Sequence, residues 1–181
     1  MKRVPPLGWA TVCFVILFGL FAPNSKPVFA TKPSAITLEM SGDSMVLHHT
    51  VLQQYLPQSL SGYQAKVPEG ATLNMGAISY SLSSITFVNN QNETIKITII
   101  DYIAAAQIYE VATMAWSFDI DVDTPEEKAS SITPSDNMAG WQSFKKKTGE
   151  ATLVLGIANR FLLTVEAQNQ VNTDKLISIV R

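Results

Sequence analysis

The chain has 181 residues, with 13 Lys and Arg against 15 Asp and Glu, a formal net charge of −2 and 46% hydrophobic side chains. A slightly acidic chain with scattered lysines is poorly matched to phosphate backbones, which excludes nucleic acid as a partner class. The single cysteine, Cys13, excludes an internal disulfide, so the fold must rest on an apolar core.

The first residues carry Lys2 and Arg3, and no acid precedes Glu39. An apolar run from Leu7 to Ala22 follows, then Pro23, the polar stretch Asn24-Ser25-Lys26 and the small-residue site Val28-Phe29-Ala30. That order matches a cleavable signal peptide over residues 1–30. The apolar run spans 16 residues, short of the ~20 a membrane-crossing helix needs, so a retained anchor ranks second. Val12 is too bulky for lipoprotein processing at Cys13. Removal of the leader leaves about 151 residues with 10 basic and 15 acidic side chains, a net charge of −5 and no cysteine. A chain of that size forms one domain without covalent staples. Bacterial export to the periplasm or the exterior is the expected localisation, with no membrane attachment after cleavage.

Residues 31–43 are rich in Ser, Thr, Gly and Pro and read as a flexible lead-in to a single domain over 44–181. From Ser44 to Leu56 the pattern is helical: Leu47, Val51 and Tyr55 recur at spacings of four, flanked by Leu52 and Leu56, and Pro57 ends the run. Tyr63–Val67 reads as a short strand. Ile78–Val88 carries Tyr80, Leu82, Ile85 and Phe87 in a broken alternation that predicts a bulge near Ser83-Ser84. After the turn Asn89-Asn90-Gln91-Asn92, the residues Thr94–Ile100 alternate strictly and predict a half-buried strand.

Asp101 is placed to cap a helix running through Ala104-Ala105-Ala106 to about Trp116, with Ala105, Ile108, Tyr109, Ala112 and Trp116 on one stripe. Phe118–Asp123 alternates apolar and acidic residues as a strand would, and 124–138 reads as a polar excursion. Trp141–Lys147, Ala151–Ala158 and Phe161–Gln168 form a three-stranded meander turning at Thr148-Gly149 and Asn159-Arg160. Asn172 or Thr173 caps a last short helix.

The two halves share a faint likeness: Gly62-Tyr63-Gln64 parallels Gly140-Trp141-Gln142, and 71–76 parallels 151–156. The expected class is α+β, a mostly antiparallel sheet with two or three helices packed on one face; two strand-strand-helix pseudo-repeats are one way to build it, short matches of this kind also arise by chance, and the class does not depend on them.

Sites are sparse. Asp119, Asp121 and Asp123 would share one face of a strand at a spacing of ~6.5 Å, a set of hard oxygens that suits calcium. The EF-hand likeness fails at the sixth position, Thr124, and at the twelfth, Ser130, and acids on an edge strand serve equally to prevent aggregation. His48 and His49 are the only histidines, and neighbours on a helix point ~100° apart, so they cannot share a metal. No HExxH, no Gly-x-Ser-x-Gly elbow and no glycine-rich phosphate loop is present, and no cofactor is implied. Lys145-Lys146-Lys147 reads as a solvated strand end. Tyr63, Tyr80, Trp116 and Trp141 suit either core packing or a stacking platform; core is the expectation for Trp116, while Trp141 is open. These residues point to a non-enzymatic exported module that binds a protein or small ligand. The alternatives are a hydrolase whose site joins His48 or His49 to a distant serine and acid, and a calcium-stabilised structural module.

Overall fold

The periodic segments form nine strands and three short helices in the computed structural model, which describes residues 45–75, 78–119 and 121–180. The expected leader (1–30) and lead-in (31–43) lie outside the described residues, which all fall within one unit, Met40–Arg181.

The strands are β1 (Gln64–Ala65), β2 (Glu69–Met75), β3 (Ile78–Val88), β4 (Thr94–Asp101), β5 (Asp121–Asp123), β6 (Glu127–Ser135), β7 (Met138–Lys145), β8 (Glu150–Ile157) and β9 (Phe161–Ala167). All pairings are antiparallel, in the order β1-β3-β4-β9-β8-β7-β6-β5, and β2 continues the β1 edge along β3. The helices are α1 (His49–Leu52, extended by a 3-10 turn over Gln53–Tyr55), α2 (Ala106–Thr113, extended by a 3-10 turn over Met114–Ser117) and α3 (Asp174–Val180). The class is α+β, dominated by antiparallel sheet.

Alternation along the central strands assigns the two faces of the sheet. Ile85 and Phe87 of β3, Ile95, Ile97 and Ile99 of β4, Leu153 and Leu155 of β8, and Val165 and Ala167 of β9 form the main core, joined by Leu52 and Leu56 at α1 and Leu176 of α3. Seven large apolar side chains here have no exposure: Phe87, Leu52, Ile95, Leu153, Leu155, Leu176 and Val165. Each contributes roughly 1.5–3 kcal/mol by leaving water. The opposite face carries a smaller cluster in which Tyr102, Ala105 and Tyr109 pack with Tyr80, Ile100, Ile108 and Leu162. Two helices therefore cover one face, while α2 lies on the other.

That division explains the broken alternation in β3. The β3–β4 register runs from Ser81↔Asp101 to Val88↔Thr94 without a shift, so Ser83-Ser84 is not a bulge. Tyr80 serves the α2 face and Ile85 and Phe87 serve the main core; the apolar parity switches because the strand supports two cores in succession. The irregularity sits on the neighbouring edge, where the pairing steps from Ala65↔Phe87 to Glu69↔Ser84 with one extra residue on that side.

Other expectations change for related reasons. The first helix is a single turn, because Leu52 and Leu56 provide its inward contacts while Tyr55 stays 68% exposed. The supposed polar excursion contains β6, which pairs with both β5 and β7. Its small residues Ala129, Ser130 and Ser131 give no apolar alternation, so ladder pairing rather than hydrophobicity makes this strand. The strand expected at Phe118–Asp123 is limited to Asp121–Asp123. Asp101 does not cap α2, whose N-cap is Ala105 with no side-chain bond. The described part of the first matched segment, 71–75, falls on β2, at the sheet edge, and 151–156 falls on β8, in its interior; they do not occupy equivalent positions.

Candidate functional site

On the α2 face, an open groove of about 360 Å³ lies between α2 with its 3-10 extension and the tips of the β6–β7 and β8–β9 hairpins. Its lining includes Tyr109, Trp116, Asp136, Asn137, Gly156 and Asn159. A volume of this size suits a small ligand or a short stretch of a longer one.

Gly156 makes the aromatic part of the site. A Cβ there would meet the Tyr109 hydroxyl at 2.4 Å and Trp116 Cζ3 at 2.6 Å, so only glycine lets both rings settle over β8. Tyr109 is 8% exposed, and its ring meets that of Tyr102 edge-on at 6.4 Å between centroids. Burial pushes its pKa above the ordinary tyrosine value, so the phenol remains a neutral donor.

The rim is held by backbone. The Ala158 N–H donates to the Asn137 carbonyl at 3.0 Å, joining the two hairpin tips, and the Arg160 N–H closes the turn on the Ile157 carbonyl at 3.1 Å. Both Ala158 and Asn159 adopt φ of +52°. Asparagine accepts the left-handed region readily, whereas alanine is strained there by roughly 1–2 kcal/mol.

The anchor for this strained turn lies on the opposite face. Arg160 donates from Nε to Asp101 Oδ1 at 2.9 Å and from Nη2 to Oδ2 at 2.7 Å, a two-pronged pair in which Asp101 has no exposure. Asp101 also accepts from the Leu47 N–H at 2.9 Å and the Ile103 N–H at 3.1 Å. One buried carboxylate thus ties the start of α1, the exit of β4 and the β8–β9 turn together. Sequence reasoning treated Asp101 as a helix cap and Asn159-Arg160 as a turn. The two residues are 59 positions apart, and no local pattern links them.

The candidate metal residues lie elsewhere. Asp119, Asp121 and Asp123 are exposed, the latter two on the edge strand β5. Asp123 accepts from Lys146 Nζ at 2.5 Å, and that bond holds its carboxyl below the usual aspartate range. Among the described residues no three His, Cys, Asp or Glu side chains form a metal-holding group. The lysine run is paired throughout: Lys145 with Glu150 at 2.6 Å, Lys146 with Asp123, and Lys147 with Glu126 at 3.1 Å.

His48 and His49 stack at 4.1 Å and divide their roles. His49 faces Thr72, whose hydroxyl accepts from the His49 N–H at 3.0 Å and bonds Ser81 Oγ at 2.8 Å, a network that ends on a serine with no exposure. His48 lines a second cavity of about 400 Å³ with Thr72, Asn74 and Ser79, and no acid borders it among the described residues. The structure does not bring a histidine, an accessible serine and an acid together among the described residues. Trp116 is half-buried and belongs to the groove as well as to packing, contrary to the expectation of core alone.

Compared with known proteins, the chain matches no family model, no curated protein and no solved structure at a significant level.

Proposed function

We propose that this chain is an exported, non-enzymatic binding module of the bacterial periplasm or exterior, and that the groove under α2 receives its ligand. The carrying observation is the pairing of Tyr109 and Trp116 with the polar rim of Asp136, Asn137 and Asn159 around about 360 Å³ of open space. A site that converges aromatic surface with a few fixed polar groups is the usual form of a binding cleft. The leader-like N-terminus supports export, and the net charge of −5 after its removal supports a partner other than nucleic acid.

Catalysis gains no comparable support. His48 borders a cavity with no acid among its described lining residues, and Asp101 is committed to Arg160. A calcium role would need Asp123 to leave Lys146.

The test places a photo-crosslinking residue at Asn159 on the rim, and another at Val171, which is exposed beside the opposite ends of the strands. In exporting cells, adducts should form from Asn159, disappear with Trp116→Ala and be absent from Val171. Equal labelling at both positions, or a turnover abolished by substituting His48 or His49, would refute the reading.

A further inference from the structure

We infer that the ligand of this groove is a neutral saccharide chain, and that Trp141 extends the site beyond the groove; the inference rests on the binding reading above. Among the described residues no lysine or arginine lines the groove, and the nearest guanidinium in sequence, Arg160, is held by Asp101. A phosphate or carboxylate entering there would lose water without meeting a cation. What the groove offers is a carboxylate at Asp136, amides at Asn137 and Asn159, and the phenol of Tyr109. Adjacent hydroxyls on a sugar ring both donate and accept, which suits those groups together. The apolar C–H face of the same ring suits the Tyr109 and Trp116 rings.

A peptide fits less well. Extended peptides add to a sheet through its free edge. The groove lies over β7 and β8, interior strands whose backbones pair on both sides, and the Asn137 carbonyl is engaged by Ala158. Recognition there must come from side chains.

The extension follows from register. Ala139 pairs with Gly156 and Trp141 with Val154, so Trp141 shares the groove's face and lies ~6.6 Å farther along β7. Its row continues across the sheet through Val154, Thr164 and Thr98, all half-buried. A chain of several rings leaving the groove along β7 would cross this shelf.

The full exported chain should be titrated by calorimetry with neutral oligosaccharides of glucose and of N-acetylglucosamine, each as disaccharide and hexasaccharide. A sulfated glycan serves as the anionic comparison. At least one neutral series should bind, with the hexasaccharide roughly tenfold tighter, equivalent to about 1.4 kcal/mol. Trp141→Ala should remove the gain from length and leave disaccharide binding unchanged. Asp136→Ala, at an exposed turn position that does not touch the core, should weaken both lengths, so the result does not depend on Trp116→Ala remaining folded. Binding of the sulfated glycan alone overturns the inference. Failure of every neutral sugar, with groove-dependent adducts still forming at Asn159, overturns the saccharide assignment and keeps the binding reading. Failure of both removes the two together.

Discussion

Replacing Arg160 with methionine tests the link between the buried ion pair and the rest of the domain. Methionine retains an apolar stem of similar length, while the guanidinium, which lies over Phe161 at 4.8 Å from that ring, is lost. Asp101 would then remain fully buried with two backbone donors, the N–H groups of Leu47 and Ile103, and no cation. Removing one partner of a buried pair costs roughly 3–5 kcal/mol. The Arg160 side chain is 22% exposed, so solvent screening places the loss near the lower end, about 3 kcal/mol. For a domain of this size that loss lowers the melting temperature by roughly 6–12 °C. Reversible urea unfolding followed by circular dichroism gives the free energy directly. The double variant Asp101→Asn, Arg160→Met should recover part of the loss, because no charge is left buried, although the single carbonyl oxygen of asparagine can serve only one of the two donors that now reach different oxygens, Leu47 N–H on Oδ2 and Ile103 N–H on Oδ1. A loss under ~1 kcal/mol for Arg160→Met, the size expected of an exposed pair, would refute the argument. So would a double variant no more stable than the single.

Three further outcomes follow. Gly156→Ala should destabilise by roughly 1–3 kcal/mol and alter tryptophan fluorescence, since its methyl enters space held by Tyr109 and the rigid Trp116 ring; an unchanged melt and spectrum would mean the rings do not rest there. Ala158→Gly should stabilise by about 0.5–1 kcal/mol, because glycine occupies φ of +52° without strain; a lower melting temperature would show that the turn is not strained in solution. Glu93 accepts from the Tyr63 hydroxyl at 2.7 Å, and that bond, helped by Lys175 and Asn89, holds its carboxyl below the ordinary glutamate value. A depressed pKa adds stability above the unfolded value and loses it as pH falls through the folded one. The stability gap between the native chain and Glu93→Gln should therefore be full at neutral pH and shrink through the acidic carboxylate range. A gap that is constant with pH in parallel melting curves would contradict this.

The fold was legible where a strand faces one core. Ile95, Ile97 and Ile99 alternate without interruption because β4 buries one apolar row throughout, and the meander from β7 to β9 announced itself through the same period and its turns. The groove was legible only in fragments. Trp116 and Tyr109 stood on one predicted stripe, but Gly156, which makes room for both, has no distinguishing context in the sequence. Asp136, Asn137 and Asn159 read as turn residues, which they are; nothing local announces that two turns meet.

The amino-acid order by itself determined the slight acidic excess, the reliance on an apolar core and the strands whose side chains alternate, because each follows from composition or from contacts a few residues apart. Tertiary structure alone decided the two-sided role of β3, the pairing that makes a strand of the polar segment after Pro125, and the bond between Asp101 and Arg160. These depend on which distant segments meet, and the free energy of such meetings is absent from any local pattern.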